Sequence, residues 1–163
     1  MAKRYGVLVG TPLQTIPVVQ VDKTFIRTNQ EIIVRDTIAL AAAAINDTVQ
    51  ASVLGWESVL DPFECLVNFA NLGATTTMSF GDVTFPAALD AAIVTSAASL
   101  PVGVQLLSAV PIANYWQPLW SLLGYATLAA AQKVGLQCEL LFRTNVAPMT
   151  GQVTWRLCGE RRI

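Results

Sequence analysis

The sequence predicts an all-β domain, an antiparallel β-sandwich with one or two short helices and an extended N-terminal arm. Apolar and polar residues alternate with a period of two in several short segments, which is typical of half-buried strands. Turn signals separate these segments at intervals of about 8 to 12 residues, as in sandwiches and barrels. Because 163 residues is the usual size of one domain, we expect residues 31–163 to form a single β-sandwich and residues 1–30 an extended arm or an edge strand.

The first 30 residues differ from the rest of the chain. Pro12 and Pro17 interrupt an extended run of β-branched residues. Proline has no backbone N–H to donate to a neighbouring strand, so such a run belongs at a sheet edge or in an extended arm. Two interpretations stay open, an arm that reaches over a neighbouring subunit and an ordinary edge strand.

Four strands are predicted between residues 31 and 80. Alternating residues mark the segments 31–40, 48–54, 64–69 and 75–80, and turn residues lie between them. The alanine-rich run 39–45 is either one helical turn or a buried strand end. The residues expected on the inward faces are Ile32, Val34, Ile38 and Leu40, then Val49, Ala51 and Val53, then Cys65, Val67 and Phe69, and finally Thr76, Met78 and Phe80.

Helix is expected in one or two places in the middle of the chain. Pro86 opens a run of good helix formers that extends to residue 98, and proline suits the first turn of a helix. We therefore predict a short helix or helical loop over residues 86–98. Residues 116–125 fit an apolar loop and a second short helix equally well.

The C-terminal region predicts an antiparallel hairpin. Residues 136–144 and 152–157 both alternate with a period of two, and a loop that contains proline and glycine joins them. This is the pattern of a half-buried strand pair. The residues expected on the buried faces are Leu136, Cys138, Leu140 and Phe142 in the first strand, and Val153, Trp155 and Leu157 in the second.

The composition indicates a protein whose surface is covered largely by other protein. Apolar residues make up 53% of the chain and charged residues 13%, against roughly 25% charged in a typical domain. A membrane protein would also fit, but Pro101, Pro111 and Pro118 divide the uncharged stretch 91–132 into pieces too short for a spanning helix of about 20 residues. The apolar run at the N-terminus is too brief for a signal peptide. We expect the protein to be made and assembled in the cytoplasm.

Charge is distributed unevenly along the chain. Residues 1–35 and residues 133–163 each have five basic and two acidic residues, a net charge of +3 each, whereas residues 36–132 have seven carboxylates and no Lys or Arg, a net charge of −7. Opposite charges are normally interspersed on the surface of a monomer. Either the basic ends neutralise the acidic middle within one subunit, or the two meet between subunits in a salt-sensitive contact.

The sequence offers little for catalysis or cofactor binding. It has no histidine, the commonest general base and metal ligand. The carboxylate pairs Asp61/Glu64 and Asp82/Asp90 lie at predicted turns, where solvation and local capping explain them. Phosphate-binding glycine motifs are missing, and the three cysteines are scattered and odd in number. We predict a non-enzyme with no catalytic, cofactor-binding or metal-binding residues, no cofactor, no nucleic-acid partner and no small-molecule ligand.

The aromatic residues point instead to contacts between proteins. Four tryptophans could line a sugar-binding surface, but Trp155 alternates into the core, and Trp and Tyr are also enriched at protein interfaces. The candidates for a buried intersubunit cluster are Tyr115, Trp116, Trp120 and Tyr125.

Four segments within residues 45–160 follow one another in a recognisable order. A strand and turn run from Leu72-Gly73 to Gly81-Asp82, a small-residue segment spans 86–99, Pro118-Leu119-Trp120 leads to Gly124-Tyr125, and the closing strand begins at Gly151-Gln152-Val153. In this order they resemble small structural proteins that decorate or cement the heads of tailed bacteriophages. The resemblance is a pattern of strands, and it leaves the first 45 residues uncovered.

The resemblance implies a jelly-roll-like sandwich on the outside of a phage head, as a homotrimer bound to the major capsid protein. Binding several capsomers at once makes such attachment hard to reverse. The virion, at the capsid surface, is then the expected location, with no membrane partner. The basic residues that are candidates for facing the capsid are Lys3, Arg4, Lys23, Arg27, Arg161 and Arg162.

Other functions remain in competition with this one. The chain fits another virion part, such as a tail, head–tail joining or fibre-base subunit. A carbohydrate-binding module of the jelly-roll kind fits next, and an enzyme fits least well because the sequence has no catalytic set.

Overall fold

The computed structural model describes residues 3–5, 26–27, 31–70, 72, 77–94, 103–146 and 148–161. Within these ranges the strands are β1 (Lys3–Tyr5), β2 (Ile26–Arg27), β3 (Glu31–Ala43), β4 (Thr48–Leu54), β5 (Val59–Leu60), β6 (Leu66–Ala70), β7 (Thr77–Gly81), β8 (Asp90–Val94), β9 (Val104–Gln105), β10 (Cys138–Thr144) and β11 (Met149–Glu160). Between β9 and β10 lie a 3-10 turn (Ile112–Asn114) and two helices, α1 (Leu119–Leu122) and α2 (Leu128–Gln132). None of the helices in these ranges has the length and apolarity needed to cross a membrane.

The strands form two sheets that pack face to face. Sheet A has the order β1-β4-β10-β7-β8, and sheet B has the order β2-β3-β11-β6-β9, with β5 also paired to β11. All pairs are antiparallel except β1 with β4. Apart from the short β1, β2 and β5, eight strands make two four-stranded sheets, and every connection except β7–β8 crosses from one sheet to the other. This is the topology of a jelly roll, and it confirms the predicted antiparallel sandwich.

Aromatic rings from both sheets meet in the centre of the core. Phe80 and Phe142 of sheet A stack at a centroid distance of 4.7 Å, and the ring of Trp155 from sheet B meets Phe142 edge-on at 5.6 Å. The indole Nε1 of Trp155 donates to the backbone oxygen of Ala51 at 3.0 Å, so the polar atom of this buried side chain has a partner. These contacts hold the two sheets together.

The predicted hairpin at the C-terminus is wrong in its pairing, although both strands exist. Strand β10 pairs with β4 and β7 in sheet A, whereas β11 pairs with β3, β5 and β6 in sheet B. The loop between β10 and β11 therefore crosses the sandwich. The predicted inward faces hold for six of their seven members, which are at most 1% exposed: Cys138, Leu140, Phe142, Val153, Trp155 and Leu157. The exception is Leu136, which precedes β10 and is 93% exposed.

The predicted inward position of Val53 is also wrong, because β4 contains a bulge. Leu140 pairs with Ser52 and the next residue, Leu141, pairs with Gln50, so Ala51 has no opposite partner. An extra residue in one strand reverses the alternation beyond it. Val49 and Ala51 face the core as expected, but from Ser52 onwards the even-numbered residues face inward and Val53 is partly exposed.

The helix predicted over residues 86–98 is wrong. The described part of that run is a turn followed by strand β8 at Asp90–Val94, which gains its stability from pairing with β7 despite its alanine content. The two helices instead lie within 106–137, and α1 falls inside the segment 116–125. The alanine-rich run after residue 39 continues as strand to Ala43, so it is a strand end.

The described pieces of the N-terminal 30 residues are edge strands. Strand β1 lies at the edge of sheet A beside β4, and β2 lies at the edge of sheet B beside β3. The predicted arm around Pro12 and Pro17 lies outside the described residues, as does Thr76, one of the predicted inward positions.

Candidate interaction surface

Three connections meet at one end of the sandwich, which we call the loop end and define by residues 55–65, 82–89 and 106–137. The strand register places them together. In sheet A, Leu54 at the end of β4 pairs with Cys138 at the start of β10, and in sheet B, Leu66 pairs with Gln105. Backbone hydrogen bonds then join the connections directly, for example from the N–H of Leu119 to the oxygen of Ser58 at 2.9 Å.

Exposed apolar side chains are concentrated at the loop end. Nine large apolar residues are exposed in the described part of the chain, and two of them, Ile45 and Val146, lie at the opposite end. Monomeric domains expose such residues singly, and a concentration of them marks an interaction site. The seven at the loop end are Phe63, Val83, Phe85, Ile112, Trp116, Val134 and Leu136.

A buried tryptophan anchors the long connection 106–137 beneath this surface. Trp56 is 3% exposed, and its indole Nε1 donates to the backbone oxygen of Gly135 at 2.8 Å. Its own backbone oxygen accepts from the N–H of Trp120 at 3.2 Å. Trp120 and Gly135, which lie near the two ends of the segment that contains α1 and α2, are thus both bonded to Trp56. These bonds fix the position of the exposed side chains on that segment.

A second anchor joins this segment to the connection between β7 and β8. The hydroxyl of Tyr125 donates to Oδ2 of Asp82 at 2.5 Å, and Oδ1 of the same carboxylate accepts the N–H groups of Thr84 and Phe85 at 3.0 and 2.6 Å. The ring of Tyr125 meets Trp56 and Phe85 edge-on at 5.3 and 5.0 Å. Burial and the hydrogen bond to Asp82 raise the pKa of Tyr125 to about 12, so the hydroxyl keeps its proton at neutral pH.

Four residues on one side of the loop end form what we call the tryptophan patch: Phe63, Ile112, Tyr115 and Trp116. The rings of Phe63 and Tyr115 meet edge-on at 5.8 Å. The N–H of Tyr115 donates to the oxygen of Ile112 at 3.1 Å, which closes the 3-10 turn. Ile112 is 81% exposed, Phe63 62% and Trp116 47%, so the patch presents flat apolar area to the outside.

Two of the other exposed residues, Val83 and Leu136, lie beside the outer side of sheet A. Val83 borders a groove that Leu141 and Arg143 of β10 also line. Leu136 borders a second groove together with Val53. The loop end therefore has two apolar areas that open in different directions.

The structure separates the four aromatic residues that the sequence singled out. Tyr115, Trp120 and Tyr125 are partly buried and pack against the subunit's own core, and Tyr115 also contacts Phe63 of the tryptophan patch. Of the four, Trp116 is the exposed one. Their role in an intersubunit contact stays a prediction. Phe63 was missed as an interaction residue, although it directly follows the turn signal Asp61-Pro62, and an apolar residue in a turn is exposed by its position.

The basic residues proposed to face a capsid do not form one group. Arg161 is exposed at the loop end, after β11, and the register of Arg27 with Glu31 places β2 at the same end. Lys3 pairs with Thr48 at the opposite end, and Arg4 follows it in β1. The two remaining candidates, Lys23 and Arg162, lie outside the described residues. Their contact with a capsid stays a prediction.

The carboxylates at the predicted turns have structural hydrogen bonds. Asp61 Oδ1 accepts the N–H groups of Phe63 and Glu64, at 2.8 and 3.3 Å. Glu64 forms an ion pair with Arg156 at 2.8 Å, which joins the acidic middle and the basic C-terminal segment within one subunit. Asp90 accepts from the N–H of Ala92 at 3.2 Å. Within the described ranges no three His, Cys, Asp or Glu residues gather as metal ligands would.

The three cysteines are buried free thiols. Burial raises the pKa of Cys65 to about 12 and also raises the pKa of Cys138. A nucleophilic cysteine requires a lowered pKa and access to solvent. These side chains behave as small apolar core residues.

Among the described residues, seven of the nine exposed large apolar side chains lie at the loop end. Trp56, Tyr125 and Asp82 hold its connections together, and its large exposed side chains are apolar and aromatic. That arrangement suits binding to another protein surface. Comparisons with models of protein families, with curated proteins and with solved structures found no match to this chain.

Proposed function

We propose that this chain is a non-enzymatic structural protein of a virus particle, which binds the outside of a phage head and cements or decorates its capsomers. The observation that supports the proposal most directly is the concentration of seven exposed apolar side chains at the loop end. A subunit that works alone in water would have these side chains covered or replaced by charged ones.

The area available is suited to a specific contact between proteins. Given the exposed fractions of these side chains and the usual size of large apolar residues, the loop end offers roughly 700 Å² of apolar surface. One side of a standard protein interface buries about 800 Å². The two apolar areas of the loop end together approach this size, so we expect the subunit to be held through more than one contact.

The fold and the low charge also support a role in an assembly. Jelly rolls are frequent in viral capsid and lectin domains, although a fold by itself does not decide function. A subunit with 13% charged residues relies on neighbours to cover its surface. Attachment at several joints of a shell would add buried area at each of them, and multivalency makes the total attachment hard to reverse.

Purified particles of the source virus provide the test. We expect quantitative mass spectrometry to find the protein in hundreds of copies per particle, and electron microscopy to place it on the outer face of the head. Heads that lack it should break at lower temperature or lower salt than complete heads. A count of about six or twelve copies would instead indicate a joining ring or tail part. Complete absence from particles would refute the proposal.

A carbohydrate-binding module is the second candidate, and the exposed rings of Phe63 and Trp116 favour it. Aromatic rings at a jelly-roll surface offer platforms for sugar rings, and the amides of Asn114 and Gln117 lie beside them. A glycan array together with quenching of tryptophan fluorescence separates the two functions. Sugar-dependent quenching would favour the module, and its absence would favour the particle protein.

A further inference from the structure

Trp116 occupies a turn position that favours glycine. Its φ angle is 66°, and Tyr115 before it has φ −58° and ψ 148°. The N–H of Gln117 donates to the oxygen of Asn114 at 3.3 Å, so residues 114–117 form a type II turn, whose third residue needs a positive φ. Trp116 is nevertheless 47% exposed, so burial in its own subunit does not explain it. A strained and exposed aromatic residue at the tip of a turn indicates a function outside the local fold.

The same chain has a groove whose size suits one large side chain. The groove lies on the outer side of sheet A and has a volume of about 190 Å³. Pockets that hold small-molecule ligands are larger, roughly 300–1,000 Å³. Its apolar lining consists of Leu141 of β10 and of Val83 and Pro86, which follow β7. Leu141 is 3% exposed and Val83 is 62% exposed, so Leu141 forms the floor and Val83 an open wall.

Charge contributes little to what either surface can bind. Among the described residues, the charged side chains that line the groove are Asp82, Glu139 and Arg143. Those beside the tryptophan patch are Asp61, Glu64 and Arg156. Each set has a net charge of −1, so the two surfaces repel each other weakly and salt screens that repulsion. A contact between them is therefore held by apolar burial and not by ion pairs.

The areas available favour a partner that uses both surfaces of the loop end. The exposed fractions of the tryptophan patch correspond to roughly 400 Å², which is about half of one side of a standard interface. A subunit that buries both apolar areas of the loop end comes close to the full size. The two areas open in different directions, so one flat partner surface does not cover both. Copies of the same chain cover both when the patch of each copy meets the groove of the next.

We propose that Trp116 of one copy of this chain binds in the groove of the next copy, so that the subunits close into a symmetric oligomer. The indole then contacts Leu141, Val83 and Pro86, and every subunit uses its own patch and its own groove. A contact between two different surfaces gives a ring when the rotation between copies closes. The homotrimer that the resemblance implies is one such ring. The inference rests on the proposed function, because it names the partner of one part of the loop end.

Two substitutions remove one surface each and leave the fold intact. Trp116→Gly removes the indole, and glycine adopts a positive φ without strain, so this variant should unfold at the wild-type temperature or higher. Val83→Glu places a charge in the groove at an exposed position, where stability should change little. Sedimentation velocity over a concentration series should show association of the wild type, and each variant should need at least a tenfold higher concentration. A wild type that stays monomeric, or either variant associating as the wild type does, would overturn the inference.

A matched control removes an exposed apolar side chain away from both surfaces. Ile45 is 56% exposed and lies at the opposite end of the sandwich, so we expect Ile45→Ser to associate like the wild type. Equal loss of association in Ile45→Ser and Trp116→Gly would show that the contact does not centre on Trp116. Association of the wild type should also persist in about 1 M salt, where charges are screened beyond roughly 3 Å. Dissociation by salt would reveal a contact held by ion pairs and refute the proposed one.

Cross-linking tests which surface meets which. The three native cysteines are buried, so a cysteine introduced by Ile112→Cys in the patch or by Val83→Cys at the groove is the accessible thiol. A short bis-maleimide should join two copies when the two variants are mixed, and it should join none in either variant alone. Dimers formed by Ile112→Cys alone would mean that patch meets patch. That result, or a mixture that associates without any cross-link between the two positions, would place the contact elsewhere and overturn the proposal.

The contact between copies and the particle role can fail separately. A monomer that is nevertheless found on purified particles would refute the contact and leave the particle role in place. An oligomer that depends on both Trp116 and Val83 but is missing from particles would refute the particle role alone. Sugar-dependent quenching that disappears in Trp116→Gly, with no association of the wild type, would assign the patch to a glycan and overturn the contact.

Discussion

The hydrogen bond between Tyr125 and Asp82 joins two of the three connections at the loop end, 106–137 and 82–89. Asp82 is 1% exposed, and its carboxylate accepts two backbone N–H groups and the hydroxyl of Tyr125. The loss of one hydrogen-bond donor to a buried carboxylate destabilises the folded state, because water does not reach the carboxylate to replace that donor. Tyr125 therefore contributes as a donor to the carboxylate and as a ring that supports Phe85.

We predict that Tyr125→Phe lowers the free energy of unfolding by about 1–3 kcal/mol, because Asp82 then lacks one donor while buried. Urea denaturation followed by circular dichroism measures the loss. Tyr115→Phe is the matched control, since it removes the same atom from a ring that packs on Phe63, and it should change the stability by less than about 0.5 kcal/mol. Equal losses in the two variants would mean that the bond to Asp82 adds nothing.

At the residue scale, alternation predicted which side chains are buried wherever the strands are regular. Cys65, Val67 and Phe69 all face the core as expected. Val53 does not, because nothing in the local pattern marks the bulge at Ala51, which depends on the partner strand β10. The exposure of Trp116 was equally beyond sequence reasoning, since it follows from a turn conformation that tryptophan disfavours.

Among the elements, β5 approaches β11 unusually closely. A Cβ atom on Gly159 would lie 2.1 Å from the backbone oxygen of Val59 and 3.0 Å from the Cα atom of Leu60. Only glycine permits this approach, because backbone atoms have little room to move away. The pairing of β5 with β11 in turn positions the connection that presents Phe63.

We predict that Gly159→Ala destabilises the protein by about 3 kcal/mol or more, because the added methyl group forces β5 away from β11. Gly55→Ala, in the connection that contains β5, is the control, since the nearest neighbour of its added Cβ atom would be the Ser58 hydroxyl at an ordinary 3.6 Å. Thermal unfolding of the two variants decides the matter. A Gly159→Ala variant as stable as Gly55→Ala would show that β5 is not held against β11 in solution.

At the element scale, the sequence predicted which segments are strands better than it predicted which strands pair with each other. The segments that became β4, β6, β10 and β11 were all expected as strands. A period of two indicates which face of a strand is buried, but it does not indicate which other strand pairs with it. Because β10 and β11 are joined by a short loop, a hairpin was the natural expectation, yet each strand gains more by pairing with distant segments in separate sheets.

At the scale of the whole molecule, several cysteine and tyrosine side chains are buried in their neutral, protonated form. The pKa of Cys65 rises from 9.0 to about 12 and that of Tyr125 from 10.0 to about 12, in both cases mainly because burial disfavours the charged form. Burial also raises the pKa of Cys138 and of Cys158. A group whose pKa is raised by folding stabilises the native state below its unfolded pKa, and this contribution is lost as the pH rises toward its folded pKa.

We predict that ionisation of these groups leaves the free energy of unfolding unchanged up to about pH 9. Above that pH the free energy of unfolding falls progressively toward pH 12. Each group that ionises only in the unfolded chain adds a slope of up to about 1.4 kcal/mol per pH unit. Urea midpoints measured from neutral to alkaline pH test this, and the Tyr125→Phe variant should lose its share of the decline above pH 10. Constant stability through this range would contradict the burial of these groups.

For the whole molecule, composition anticipated the exposed apolar surface but not its location. From a charged fraction of 13% we predict that part of the surface contacts other protein, and that contact stays a prediction. The location depends on the topology, which brings residues 63, 83, 112 and 136 to one end although they are far apart in sequence. Strand patterns do not encode that convergence.

The central position of β11 in sheet B affects how the protein is made. Strand β11 lies between β3 and β6, and it follows both of them in the chain by many residues. Until residues 149–160 leave the ribosome, sheet B consists of two separate halves and the inner face of sheet A has nothing to close against. Pairings this distant form late and slowly. We expect a nascent chain arrested before Met149 to be digested rapidly by protease, so that newly made subunits depend on chaperones until the final strand arrives.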